Sequence, residues 1–379
     1  MSELAAWLEG EWRAWGVRPP ASELEAWGAV LAGGHTLATH EAGRLVAGVA
    51  AVPGRLTVPG AEVATSIVAS AWVEPAHRRR GLLRALLRRH LDELHESGVV
   101  VAVLVPAESG IYRSFGFGAA CQVATVRVPA RAAGFTSSAP IRIVDREEAL
   151  PEMAAVYERA RPEYPGMLAR DAAWWAFSYH SAAEGPMFFA LHADGFAAYR
   201  VEQKWTDGNP DDTVSIQELV ANTPEAYAAL WRHCLDLDLA RRVIAYNRPL
   251  DEPLLHLLTD PRRLRQRPLD SLHVRLLDVE AALTARRYSG ELSLVVEVED
   301  EFCRWNGGRY RVDGSGCRRT QEPADVSLDA AALASLYLGG SSVDSLWRAG
   351  RARECRPGGV KQADMHFAWS PRPWLSWSY

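Results

Sequence analysis

Cysteine is scarce in this 379-residue chain, and what there is forms no pattern. Cys121, Cys234, Cys303, Cys317 and Cys355 are odd in number and contain no Cys-x-x-Cys pair, which argues against both a disulfide framework and a zinc site. The histidines show no His-Glu-x-x-His spacing, and His90 and His95 stand at a poor chelating offset on one predicted helix, so no metal is expected. No apolar run approaches the length that crosses a bilayer, and Met1-Ser2-Glu3-Leu4 lacks the basic-then-apolar design of a signal peptide. A cytoplasmic protein without a membrane partner is expected. A net charge of −5 argues against a nucleic-acid partner, whose footprint would be a strongly basic domain. Two common phosphate loops are also missing: Gly-x-x-x-x-Gly-Lys-[Ser/Thr], and Gly-x-Gly-x-x-Gly opening a helix after a strand.

The composition, 48% hydrophobic and 23% charged, is that of an ordinary folded protein, and the length exceeds one typical core. Helix-like and strand-like stretches alternate through residues 1–135, which predicts an α/β domain. A stretch of linker composition, 129–141, separates it from a second helix-and-sheet segment, 141–277, whose order suggests a duplicated fold without a cofactor cradle. A third segment, 278–379, opens with a helix capped by Asp278 and contains a strand-to-helix unit that stops at Gly339-Gly340. The fourteen tryptophans include clusters at Trp7, Trp12 and Trp15, at Trp174 and Trp175, and at Trp369, Trp374 and Trp377, read as core or interface anchors.

The most informative stretch is Val73-Glu74-Pro75-Ala76-His77-Arg78-Arg79-Arg80-Gly81-Leu82. It joins the β-like run Val63 to Val73 to a helical run with apolar residues at Leu83, Leu86, Leu87, Leu91 and Leu94. Gly81 lets backbone approach a ligand, and the free N–H groups of the first helical turn face it. Arg78, Arg79 and Arg80 oppose the helix dipole at that end, a local conflict that an anionic ligand resolves. A polyphosphate binder is expected. The run Val99 to Val105 reads as a central strand, and beyond it lies Glu108-Ser109-Gly110-Ile111-Tyr112. A splayed sheet would bring Tyr112 to the reactive end of a bound cofactor. Its phenol, with an ordinary pKa of about 10, is protonated at neutral pH and suits a general acid.

Arg78-Arg79-Arg80-Gly81-Leu82-Leu83 is similar to the pyrophosphate-binding [Arg/Gln]-x-x-Gly-x-[Gly/Ala] pattern of GNAT acetyltransferases, with Leu83 in place of the final small residue. Together with Arg55-Leu56-Thr57-Val58-Pro59-Gly60, Gly110-Ile111-Tyr112-x-x-Phe115-Gly116-Phe117-Gly118, and downstream matches around Trp174-Trp175 and Asp270 to Val279, it resembles the enhanced intracellular survival (Eis) family of GNAT N-acetyltransferases. The resemblance implies mixed α/β sheets in two tandem acetyltransferase-like domains, followed by a sterol-carrier-protein-like domain. It implies acetyl-CoA as cosubstrate, a small cationic amine or lysine-bearing acceptor, direct transfer in a ternary complex, and a hexamer. It implies donor contacts at Val73, Arg78, Arg79, Arg80, Gly81 and Leu82, with Ser109 of the tyrosine turn counted among them. Tyr112 would protonate the thiolate and the C-terminal carboxylate of Tyr379 would act as base. Trp27 would line the acceptor pocket, where Ser70 stands in place of a larger aromatic. The competing expectation is a non-catalytic carrier of acyl-CoA or lipid.

Overall fold

The computed structural model describes residues 3–17, 20–137, 139–179, 185–289 and 293–378. The chain opens with two helices, α1 (Glu3–Trp15) and α2 (Ala21–Leu31). In α1 the buried residues Trp7, Leu8, Glu11 and Ala14 recur at helical spacing, so one face meets the sheet. Gly10 lets that face approach closely, since a Cβ there would lie 2.5 Å from the Trp72 ring. The strands β1 (His35–Glu41), β2 (Arg44–Val58) and β3 (Ala61–Val73) follow as an antiparallel meander, then α3 (Leu82–Glu96), β4 (Val101–Leu104), the short α4 (Ser109–Tyr112) and β5 (Gly118–Ala119). β3 pairs with β2 as far as Val73 but with parallel β4 only from Thr65 to Ile67. A bulge against β2 at Ala69 accompanies the parting of β3 from β4 and opens a split in the sheet.

The second unit comprises β6 (Gln122–Pro129), β7 (Arg142–Val144), α5 (Arg146–Ala160), α6 (Ala172–Ser178), β8 (Phe188–His192), β9 (Gly195–Glu202), a small hairpin of β10 (Trp205–Thr206) and β11 (Asn209–Pro210), β12 (Asp212–Ala221), α7 (Pro224–Leu235), β13 (Ala240–Arg248), α8 (Leu254–Leu257) and β14 (Arg265–Asp270). Its seven-stranded sheet runs β14-β6-β13-β12-β9-β8-β7. Strands cross between the two units. β6, which the sequence places within 1–135, is hydrogen-bonded into the second sheet, while β15 (His273–Leu276), placed within 141–277, completes the first between β4 and β5. β15 is buried along its whole length and is paired on both sides, by β4 and β5 of the first sheet. The stretch 129–141 is not a free linker either, because Ala132 is buried, Ala133 bridges to Leu258 and the Phe135 carbonyl accepts from Arg232.

The third unit contains α9 (Val279–Ala285), β16 (Leu294–Glu299), β17 (Gly308–Asp313), β18 (Gly316–Arg319), β19 (Val326–Asp329), α10 (Ala330–Leu336), α11 (Val343–Arg348), β20 (Ala352–Glu354) and α12 (Gly359–Phe367). Asp278 caps α9 by accepting from the Ala281 N–H, and Gly339 leaves α10 at φ 84°. Every residue of α10 is buried, because the helix lies between its own sheet and the first sheet; at Gly118 a Cβ would lie 2.0 Å from the Ala331 carbonyl. The third unit is thus locked onto the first. Its tail then runs back to the second unit, with the Trp374 N–H donating to Pro165.

Candidate active site

The split between β3 and β4 organises the site, and side chains alternate across it. Ala71 and Val73 turn to one face, where they share a core with Leu86, Leu87, Phe115 and Phe117; Leu82, Leu83 and Tyr112 pack onto the same core. Trp72 turns to the other face, toward Trp7, and Ser70 does so toward Glu11.

On the first face, Gly81 precedes α3 at φ 81° and no side chain among the described residues caps the helix start. Arg79 also has positive φ, 62°, and the first helical bond is from Ala85 to Gly81, so the N–H groups of residues 82–84 stay available. An added Cβ at Gly81 would meet nothing within 4 Å, which leaves room in front of the cradle. A left-handed glycine, uncapped N–H groups and open space fit a pyrophosphate. The three arginines divide the work. Arg78 ties the loop down, donating to the carbonyls of Val73 (3.2 Å) and Ala14 (2.9 Å). Arg80 makes a two-pronged pair with Glu41 at 2.9 Å, and Arg79, exposed, has no ion pair among the described residues. Arg79 is therefore the cation best placed to meet an anion directly.

Tyr112, the last residue of α4, is half-buried and packs edge-on against Phe117 at 6.1 Å. Burial, with the charge of Glu108 adding to it, pushes its phenol above the usual value, so it holds its proton through the neutral range. Ser109 opens the same turn and donates to Asp270, which also lies 2.7 Å from the His273 ring. The end of β14 and the start of the exchanged strand β15 thereby anchor the turn that carries Tyr112. Burial lowers the His273 pKa although Asp270 opposes it.

On the opposite face, sequence reasoning missed a residue. Glu11 is buried and accepts from both predicted acceptor-pocket residues, the Trp27 indole (3.0 Å) and the Ser70 hydroxyl. Burial raises its pKa against these two hydrogen bonds. The available signal was an acid within the Trp7-Leu8-Glu11-Ala14 stripe. Trp27 meets Trp174 edge-on at 5.9 Å, and Trp174 meets Trp377 at 5.3 Å, so an aromatic chain leads from Glu11 to the C-terminal tail.

The tail is held firmly. Trp374 and Leu375 are buried, the Trp374 indole donates to the Asn247 carbonyl (2.6 Å), and Ser376 donates to Glu218 (2.5 Å). Arg170 makes a buried two-pronged pair with Glu218, and its guanidinium lies 4.9 Å from the Trp377 ring centroid. Burial alone would raise the Glu218 pKa, but Arg170 together with the hydrogen bonds from Ser376 and Tyr179 outweighs it and holds the pKa below the usual carboxylate value. Tyr379 lies outside the described residues.

Comparison with known proteins adds three domain matches. Acetyltransferase (GNAT) domain models match residues 1–120 and 166–276, and a sterol carrier protein domain model matches residues 279–376. The chain is 37% identical to an uncharacterised N-acetyltransferase of Streptomyces avermitilis over 97% of both proteins. It is 38% identical to the N-acetyltransferase Eis of Mycobacterium tuberculosis, covering 83% of this chain and 81% of that one. The crystal structure of Eis1 from Mycobacterium abscessus superposes with a TM-score of 0.89 at 36% identity, covering 99% of this chain and 97% of the other.

Proposed function

Because the chain belongs to the Eis family of GNAT N-acetyltransferases, we propose that it moves the acetyl group of acetyl-CoA to a primary amine of a small cationic acceptor, aminoglycoside-like, polyamine or lysine side chain, by direct transfer in a ternary complex. The observation that carries this reading is the β3–β4 split, with the cradle and Tyr112 packed on one face and the buried Glu11, hydrogen-bonded by Trp27 and Ser70, on the other. The donor's phosphates rest on Gly81, Arg79 and the start of α3, and its thioester arm pairs along the end of β3 near Val73. Its sulfur ends beside Tyr112 and Ser109.

An ammonium entering from the opposite face meets Glu11. The terminal carboxylate of Tyr379, carried by the docked tail, takes a proton from it; the freed amine attacks the thioester carbonyl, and Tyr112 gives its proton to the departing sulfur. The working units are 1–135 for donor binding and catalysis, 141–277 as a scaffold without a cradle, these two exchanging β6 and β15, and 278–379 as the carrier of the tail. The reading places the enzyme in the cytoplasm as a homo-oligomer, a hexamer as the family resemblance implies, which sedimentation measures. Release of free coenzyme A in the presence of polyamines, aminoglycosides and lysine peptides tests the activity. Absence of release with every amine would leave the carrier reading in its place.

A further inference from the structure

The second sheet carries a concentration of positive charge that acetyl transfer does not use. A cleft of about 540 Å³ is lined by Arg127, Arg241, Arg242, Arg262, Arg263 and Arg265. On the sheet, Arg265 of β14 stands directly opposite Arg127 of β6, and Arg127 stands opposite Ile244 of β13, two residues along from Arg242. Three neighbouring strands therefore present arginines on one solvent face.

Like charges directly opposite on paired strands cost stability, and an unrelieved pair needs a compensating charge. Little is supplied by the chain. Asp211 is taken up by Arg242 and Lys204, and Asp260 caps the backbone of Arg262. Arg127, Arg262, Arg263 and Arg265 have no ion pair among the described residues. Charges on an edge strand guard against unwanted pairing, which accounts for Arg265 on β14. The same argument fails for Arg127 and Arg242, which sit on interior strands.

We propose that this cleft is a binding site for a multiply charged phosphate ligand, a short polyphosphate chain or the phosphates of a nucleotide, separate from the donor cradle. Planar guanidiniums match phosphate oxygens two at a time, and several of them converge on one small cleft. The lining contains no aromatic ring on which a base would stack, so recognition is of phosphate and not of a nucleobase.

The site makes two predictions of opposite sign. In Arg127→Gln/Arg265→Gln the repulsion is relieved, so the full-length protein without ligand melts at a temperature equal to or above wild type. The same variant loses affinity for tripolyphosphate at least tenfold by calorimetry in 0.15 M salt, while acetyl-CoA affinity stays unchanged. ATP competing with tripolyphosphate identifies nucleotide phosphates as a source, whereas competition by polyphosphate alone restricts it to the inorganic chain. Equal affinity of variant and wild type, or a wild-type response that sulfate reproduces at the same concentration, would overturn the proposal.

Discussion

Replacing Trp377 with alanine separates the tail from the rest of the site. Its ring meets Trp174 edge-on at 5.3 Å and lies 4.9 Å from the Arg170 guanidinium, whose own charge is buried against Glu218. An edge-to-face pair contributes about 1 kcal/mol. A desolvated cation–π contact adds about 2 kcal/mol. The alanine variant therefore loosens the last residues by about 3 kcal/mol, roughly 100-fold in the docking equilibrium. Trp374, Leu375 and Ser376 keep their own anchors, so the fold is retained. Coenzyme A release, followed with a thiol-reactive chromophore against a polyamine and an aminoglycoside, should show kcat falling by up to that factor while acetyl-CoA affinity is unchanged. Trp377→Phe should recover most of the rate. An unchanged kcat in the alanine variant, with faster hydrogen exchange confirming a loosened tail, would refute the placement of the terminal carboxylate in the chemistry.

The remaining predictions address single groups. Tyr112→Phe keeps the contact with Phe117 but removes the proton donor, so kcat should fall about 100-fold without a change in acetyl-CoA affinity; full activity at neutral pH would exclude it as the acid. Glu11→Gln keeps an oxygen to accept from the Trp27 indole, turns the Ser70 hydroxyl into the acceptor of its amide N–H, and deletes a buried charge, so acceptor KM should rise roughly 10- to 100-fold with melting temperature unchanged or higher; an unaltered KM would remove Glu11 from acceptor binding. His366 is buried, its ring nitrogens have no hydrogen-bond partner among the described residues, and burial beside Arg286 pushes its pKa down to about 4. Folding thus excludes its proton: the associated stability is complete above pH ~6.5, the unfolded value, and is lost as pH falls toward 4, on the order of 3 kcal/mol in all. Denaturant midpoints at pH 7 and 4.5 should therefore differ less in His366→Phe, and an equal acid sensitivity in both proteins would count against this account.

Much of the architecture was legible because it is local. The strand into Val73, the glycine stop after α10 and the Asp278 cap are written in periodicity and capping chemistry, and each stands where the sequence places it. The decapeptide around Gly81 was equally readable, since a left-handed glycine before an uncapped helix is a matter of a few adjacent residues. What could not be read is non-local. The strand exchange depends on which sheet has room for β15, and no neighbouring residue of His273–Leu276 encodes that. Glu11 escaped notice because its partners, Trp27 and Ser70, belong to other elements, and α1 hides its buried stripe among tryptophans. The arginines split for the same reason: Arg80 looked free beside Arg79 until β1 brought Glu41 alongside it.

The two acetyltransferase-like units explain each other once their strands are aligned. β12 departs from β13 after Ile216, as β3 departs from β4 after Ile67, and both carry a bulge against their antiparallel neighbour near that point, at Gln217 and Ala69. Ser70 and Glu218 follow the bulges at corresponding positions. In the first unit the split is flanked by an uncapped glycine-led helix. In the second, α7 begins with Pro224, which has no N–H to offer, and Thr223 caps the start by accepting from Ala226. There Glu218 meets Arg170, Tyr179 and Ser376, and Trp374 reaches the Asn247 carbonyl on β13. The degenerate split has become the socket for the tail. Where the first split faces an uncapped helix start, the second is filled by Arg170, Tyr179 and Ser376 around Glu218, and that filling sets Trp377 against Trp174.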